Sequence, residues 1–324
     1  MQKTLSVIDL CAVRHNALKV RSLIGGRKFY AVVKADAYGH GAEEVSRAIE
    51  DLADGFCVAI ADEGVALRVA GISKPIMVFT PPLDSADADR CKSYSLEMTV
   101  NSKATAKLVG GSPCHIKVNT GMNRAGCNIG ELDGVLDALD CESIISIYSH
   151  LYAPENTSAS LKQLSLFNRA ENIVKARNSN IYGHLSSSGG LLRGGAFLKD
   201  GVRCGILLYG YAPGGFSSVG FRPALKVYAR RVQQTKFIGG GIGYNFADRN
   251  YGDLSVYRLG YADGFLRGVP LGEKTLCMDA FVRNGGGSMI CVMSDADEYA
   301  RLAKTIPYEV LTSVTKRSER IYER

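Results

Sequence analysis

The sequence predicts an α/β chain: a (β/α)8 barrel of the TIM type over residues 10–213, then a mainly β domain over 214–324 joined by an N-terminal strand at 1–9. Three observations predict it. Short apolar runs alternate eight times with helical or polar segments over about 200 residues, and such alternation calls for parallel strands with crossovers that close into a barrel. From about Gly214 the texture changes to strand period between Gly- and Asp-rich turns. At 324 residues the chain can also bury two sizeable cores. A doubly wound open sheet is the competing arrangement for the first half.

An apolar strand at 6–10 contains Asp9, a good helix N-cap. Val13, Ala17, Val20 and Ile24 then fall at helical spacing until Gly25-Gly26 stops the helix. The first barrel strand is 28–34. Val45, Ala48, Ile49 and Leu52 mark the next helix, closing at Gly55. The other seven strands are expected at 56–60, 75–80, 96–100, 115–119, 144–150, 180–186 and 202–208. In the second half, 223–238 alternates through Leu225, Val227 and Ala229, and further strands are expected at 254–259, 275–282, 288–292 and 308–314. One helix is expected there, 297–306, capped by Asp295 or Asp297; capping also accounts for the acids at 294–298 without a cation site.

Composition narrows the class. Apolar content of 46% with 22% charged residues describes a globular protein rather than a disordered or fibrous one. No apolar run approaches the roughly 18 residues of a membrane span, and the first residues lack the apolar core of a signal peptide. The nine cysteines form no C-x-x-C pair or Cys/His ligand set, which fits reduced thiols in the cytoplasm and no metal site. The five histidines show no metal-like pairing either. Part of the net charge of +7 comes from Lys316, Arg317, Arg320 and Arg324, but Glu319 and Glu323 interrupt them. That is a solvated surface rather than a nucleic-acid stripe.

In such a barrel, reactive groups sit at the C-terminal ends of strands. The first strand ends in Lys34, within Ala31-Val32-Val33-Lys34-Ala35-Asp36-Ala37-Tyr38-Gly39-His40-Gly41. A lysine there either snorkels or does carbonyl chemistry, because partial burial lowers its pKa and frees the amine. The fifth strand leads through Lys117 and Asn119 to Arg124, and the sixth ends in Ser149-His150. The seventh ends in Ser186-Ser187-Ser188-Gly189-Gly190, and the eighth holds Arg203-Cys204-Gly205-Ile206. Singly these are a surface cation, a core histidine and a helix cap; five strand ends together point to a site. The Ser188 hydroxyl and the N–H groups of Gly205 and Ile206 suit a phosphate, with the Tyr38 hydroxyl reaching it from the first loop.

These strings resemble alanine racemase motifs, in that family's order. The resemblance is carried by the Lys34 string with Tyr38, by Lys117, Arg124, His150, Arg203 and Gly205, by Tyr261 in Leu259-Gly260-Tyr261-Ala262-Asp263-Gly264-Phe265, and by Cys277-Met278-Asp279. It spans the chain from the Asp9 region to Arg320-Ile321-Tyr322. It implies a pyridoxal 5'-phosphate (PLP) enzyme that interconverts L- and D-alanine and supplies D-alanine for peptidoglycan. By the resemblance, Lys34 holds PLP and takes the α-proton of the D-enantiomer, while Tyr261 acts on the L-enantiomer from the partner subunit. Arg124 would contact the cofactor's phenolic oxygen and the substrate carboxylate, with Lys117, carbamylated in many members, orienting it. Met278 and Asp279 would border the substrate from the partner, so the implied assembly is a head-to-tail homodimer with shared sites. Arg203 would meet the pyridine nitrogen; having no proton to give, it leaves the ring a weaker electron sink than an aspartate partner would. Tyr261 would need its pKa lowered from about 10, an effect expected of Arg203 acting through His150.

Three departures bear on the substrate. Ser187 stands where the family has asparagine beside the phosphate serine, and Asn119 where it has aspartate. Lys316 stands where the family has a tyrosine that touches the phosphate and steadies the catalytic tyrosine; relatives changed there include serine racemases. Serine, or several small amino acids, is therefore the alternative substrate. A non-catalytic PLP-binding homeostasis protein resembles the barrel alone, and Tyr261 and Met278-Asp279 argue against it. Basic amino-acid decarboxylases need a proton donor and a site for a long cation, and no motif for either is present.

Overall fold

The computed structural model describes residues 4–271 and 276–324. The chain forms two compact units: one of residues 13–37 and 42–221, the other of residues up to 12, 38–41 and 222–324.

Strand β1 (Leu5–Asp9) belongs to the second unit. The first unit contains eight strands: β2 (Lys28–Val32), β3 (Gly55–Val58), β4 (Ile76–Val78), β5 (Glu97–Val100), β6 (Cys114–Lys117), β7 (Ile144–Tyr148), β8 (Tyr182–His184) and β9 (Gly201–Cys204). Each runs parallel to the next, and β9 returns to β2 with Tyr30 opposite Arg203. A parallel bridge between Ser186 and Val202 joins β8 to β9 and closes the (β/α)8 barrel. All eight expected strands are present. Strands covered on both faces carry few polar interruptions, so they stood out as apolar runs. Side-chain caps start three of the crossover helices: Asp84 for Ser85–Ser93, Ser102 for Lys103–Val109 and Asn156 for Thr157–Arg177. The last strand is shorter than expected. It stops at Cys204, and Ile206–Tyr209 is a 3-10 turn whose Tyr209 hydroxyl donates to the Val32 carbonyl at 2.9 Å.

In the second unit β10 (Leu225–Lys236) is the central strand. The hairpin β11 (Gly241–Ile242) and β12 (Asn245–Phe246) follows, then β13 (Asp253–Arg258), β14 (Phe281–Asn284), β15 (Met289–Met293) and β16 (Glu319–Glu323). Strand β10 pairs antiparallel with β1, β13 and β15, and β1 pairs in parallel with β16. The expected strand at 275–282 begins at Thr275, which lies outside the described residues. Strand β16 was not expected, since its burial is irregular.

The expected strand at 308–314 is instead a helix, Pro307–Val314. Pro307 occupies its first turn, where a missing N–H matters little, and Val310, Leu311 and Val314 bury one helical face. The expected helix 297–306 runs Ala296–Ala303, with Asp295 accepting from the N–H groups of Asp297 and Glu298. It ends at Lys304, at φ +55, so two helices replace the one expected. Among the described residues, no helix is long and apolar enough to cross a membrane.

Candidate active site

Lys34 stands just beyond the C-terminal end of β2. The chain then does something the sequence did not announce. In the first loop, Ala35, Asp36, Ala37 and Tyr38 turn left-handed at φ of 52–54°. Each such L-residue costs roughly 1–2 kcal/mol relative to the right-handed form. Hydrogen bonds hold the turn. Ala37 N–H donates to the Val33 carbonyl at 2.8 Å, and Ala42 N–H to Asp36 Oδ1 at 2.8 Å. The Glu63 carboxylate accepts from Ala35 N–H at 2.7 Å and Ala59 N–H at 2.6 Å, tying the turn to the end of β3.

Four cationic side chains gather at the strand ends. The Lys34 ammonium lies 5.8 Å from the Phe79 ring centroid and has no hydrogen bond or ion pair among the described residues. Burial lowers its pKa and Arg124 lowers it further, against the pull of Glu63. Lys117, closing β6, is 8% exposed and lies 5.4 Å from the Tyr148 ring. Burial, then the charges of Arg124, Arg203 and Lys34, lower its pKa to about 8. Burial and the same four cations push the His150 imidazole well below its usual range, so it is neutral at pH 7. Arg124 lies on the loop that Asn119 organises, where Asn119 Oδ1 accepts from the N–H groups of Gly121 and Asn123, both at 3.1 Å.

Lys117→Met is expected to stabilise the fold at pH 7 and to lose that advantage in alkali. Between pH 8 and 10.5 the unfolded chain keeps a proton on this lysine that the folded chain has released, so wild-type stability rises with pH across that window. The shift is worth about 3 kcal/mol at neutral pH. Denaturant melts of both chains at pH 7 and 10, in bicarbonate-free buffer, measure it; a difference that ignores pH contradicts the assignment.

Arg203 is 2% exposed. Its Nη1 donates to His184 Nδ1 and the His184 carbonyl, both at 2.7 Å, and its Nη2 to the Ser149 carbonyl at 2.5 Å. The guanidinium lies 5.0 Å from the Tyr148 ring centroid. The expected link to His150 is therefore replaced by one to His184, a residue the sequence reading passed over. An ionisable side chain closing an interior strand was the signal available. Beyond β8, the buried Ser188 hydroxyl accepts from Gly205 N–H at 3.2 Å, and buried Ile206 opens the next turn. The helix Ser188–Arg193 packs close on Ser186, for a Cβ on Gly190 would stand 2.4 Å from Ser186 Oγ.

The remaining candidates lie in the second unit. Tyr261 opens a 3-10 turn, Tyr261–Asp263, and its N–H donates to the Cys277 carbonyl at 3.1 Å. Ala262 N–H donates to the Met278 carbonyl at 3.0 Å, so the tyrosine and the Cys277-Met278-Asp279 triplet meet backbone to backbone. Gly260 permits the approach, since a Cβ there would lie 2.1 Å from the Met278 oxygen. Buried Asp263 anchors the turn by accepting from Arg258 Nη1 at 2.8 Å and Gly260 N–H at 2.9 Å. Asp279 is held by Arg317 Nη1 at 3.1 Å. The side chains of Tyr261 and Met278 project outward, 42% and 56% exposed. Tyr38 is buried with its ring 6.0 Å from that of Tyr308, and Lys316 is exposed just past the helix Pro307–Val314.

Comparison with known proteins agrees with this geometry. Residues 8–213 match the family model described as alanine racemase, N-terminal domain. Alanine racemases of Aromatoleum aromaticum, 31% identical, and Cutibacterium acnes, 30% identical, each align with 98% of this chain and with 98% and 97% of their own length. The crystal structure of the Bacillus anthracis alanine racemase with bound L-Ala-P matches at a TM-score of 0.88 and 26% identity, over 100% of this chain and 96% of that one. That of Bartonella henselae, with covalently bound pyridoxal phosphate, matches at 0.83 and 25% identity over 100% of both. Since the family model covers the barrel and the relatives extend the likeness through the strand-rich half, the chain belongs to the alanine racemase family.

Proposed function

We propose that the chain is a PLP-dependent alanine racemase that supplies D-alanine for peptidoglycan. The observation that carries this reading is the cluster of Lys34, Lys117, Arg124 and Arg203, none of which has a carboxylate in ion-pair range among the described residues. Lys117 and Arg203 are buried, Lys34 is half-buried, and gathered cations without a carboxylate are costly, so the site is built for anions. PLP fits the donor set. Its phosphate would be held by the Ser188 hydroxyl and the Gly205 and Ile206 N–H groups, its phenolic oxygen by Arg124, and its ring nitrogen by Arg203. Lys34, with its depressed amine, would hold it covalently. When bound, the cofactor withdraws electron density from the substrate α-carbon and acidifies its C–H.

The chain's own groups do the rest. Arg124 binds the substrate carboxylate. The Lys34 amine takes or returns a proton on the face of the D-enantiomer, and the Tyr261 hydroxyl does so on the face of the L-enantiomer. At a pKa of about 8, Lys117 is a free amine often enough to take up carbon dioxide, and its carbamate would neutralise part of the cluster and orient Arg124. Tyr261, Met278 and Asp279 would serve a partner's barrel in a homodimer with shared sites; their exposure supports this. Lys316 favours serine as a second substrate.

The test is a chirality-resolved assay of the PLP-loaded enzyme on L-alanine and L-serine side by side. D-Alanine is expected to form faster. D-Serine in excess would reassign the substrate, and no D-product from either would overturn the reading.

A further inference from the structure

The barrel interior holds a line of polar side chains that ends on Arg203 and whose other members the proposed reaction does not use. Glu97 opens β5, His115 lies in β6, Ser146 in β7, His184 closes β8 and Arg203 lies in β9. His115 Nε2 is 2.9 Å from Glu97 Oε2, and His115 Nδ1 is 2.6 Å from Ser146 Oγ. Ser146 Oγ is 2.7 Å from His184 Nε2, whose Nδ1 is 2.7 Å from Arg203 Nη1. His115, Ser146 and His184 are fully buried, while the Glu97 side chain keeps 16% exposure. His115 and Ser146 face each other in the β6–β7 register. The line therefore climbs from the start of one strand to the strand ends where Arg203 sits.

Its two ends dictate where the hydrogens lie. A guanidinium only donates, so His184 Nδ1 is a bare acceptor and a neutral His184 carries its proton on Nε2. That N–H donates to Ser146, whose own hydrogen is then free for His115 Nδ1. His115 in turn carries its proton on Nε2 and donates it to Glu97, a carboxylate that only accepts. All four bonds run in one sense, and reversing any one sets two donors or two lone pairs against each other.

The surroundings keep the His184 imidazole uncharged. Burial, with Arg203 and then His115 as neighbours, holds His184 far below the usual histidine range. The other groups against the imidazole rings are the phenols of Tyr30, Tyr148 and Tyr182. All three are pushed up by burial and bring no charge. The Tyr182 hydroxyl pairs with Tyr30 and also touches Ser146.

We propose that Glu97, His115 and Ser146 are positioning residues for Arg203: the carboxylate sets the direction of the hydrogen-bond chain, which holds the His184 Nε2–H on an oriented acceptor and so aims the ring and the guanidinium it receives. The role of Arg203 rests on the PLP reading above, but the tautomer does not require the cofactor.

The test is nitrogen-15 NMR of histidine-labelled protein, with only five histidines to assign, in the PLP-loaded and PLP-free chain. His184 is expected to be neutral, and both His115 and His184 are expected to carry a proton on Nε2. Ser146→Ala is expected to leave the His184 Nε2–H without its acceptor, shifting the His184 nitrogen resonances, and to weaken PLP retention about tenfold, the scale of one hydrogen bond to a charged group. Ser146→Thr is expected to restore both. Glu97→Gln tests the less buried end if the core variant fails to fold; its amide can present an N–H to His115, so the His115 ring is expected to show mixed tautomers and PLP retention to weaken. A wild-type His184 that is charged or protonated on Nδ1, or a Ser146→Ala chain with wild-type His184 resonances, would overturn the proposal. A wild-type chain with both tautomers as stated but no PLP uptake would overturn the cofactor reading and leave the hydrogen-bond chain standing.

Discussion

Lys34→Ala is expected to abolish the visible absorbance of a covalently held cofactor and to lower racemisation by about 10⁴-fold or more, the scale on which removal of a reactive centre acts. The reasoning is that this amine has two duties, holding the coenzyme and moving one of the two protons. Its freedom to do so comes from its setting, since it is partly buried, repelled by Arg124 and bound to no acid. The substitution leaves Arg203 and the Ser188–Gly205 pair in place, so loose PLP binding is expected to survive. Lys34 precedes the left-handed residues, so alanine there adds no backbone strain. A folded variant, checked by circular dichroism, that retained full turnover would remove the mechanism.

Tyr261→Phe is expected to slow removal of the α-proton from L-alanine by about 10²–10⁴-fold, the range of a general acid–base group. PLP affinity and the fold are expected to stay close to wild type. The geometry supports this separation. The tyrosine is held through its backbone, its N–H donating to the Cys277 carbonyl and that of Ala262 to the Met278 carbonyl, while its hydroxyl has no hydrogen-bond partner among the described residues. Phenylalanine keeps everything but that hydroxyl. Exchange of the α-hydrogen with deuterated solvent, followed separately from L- and D-alanine, measures the effect, and loss from the D-enantiomer is expected to be smaller. Parallel losses of exchange and of PLP binding would make this tyrosine a structural one.

The barrel was legible in the sequence because each of its strands is enclosed and each is followed by a crossover. The strand-end cations were legible for a related reason, as charge is seldom placed where an apolar run finishes. Local rules failed where two readings were chemically close. Val310, Leu311 and Val314 suit a strand by their branching, but Pro307 and a helical face of contacts made them a helix. The line from Glu97 to Arg203 was not legible at all. Its members stand on five different strands, and only their register in the closed sheet brings them within bonding distance. The displacement of His150 by His184 as the partner of Arg203 has the same origin.

The turn that follows Lys34 reverses the ordinary rules of replacement. At Ala35, Asp36 and Ala37 glycine is the relaxed choice, although inside a right-handed helix it is among the worst, and valine or isoleucine would be the least tolerated. A mirror-image residue, a D-alanine placed at 35 or 37 by chemical synthesis, would rest there without protest. The reactive amine thus stands on a short piece of backbone whose handedness opposes its own building blocks, and the two Glu63 oxygens help to clamp it in that state.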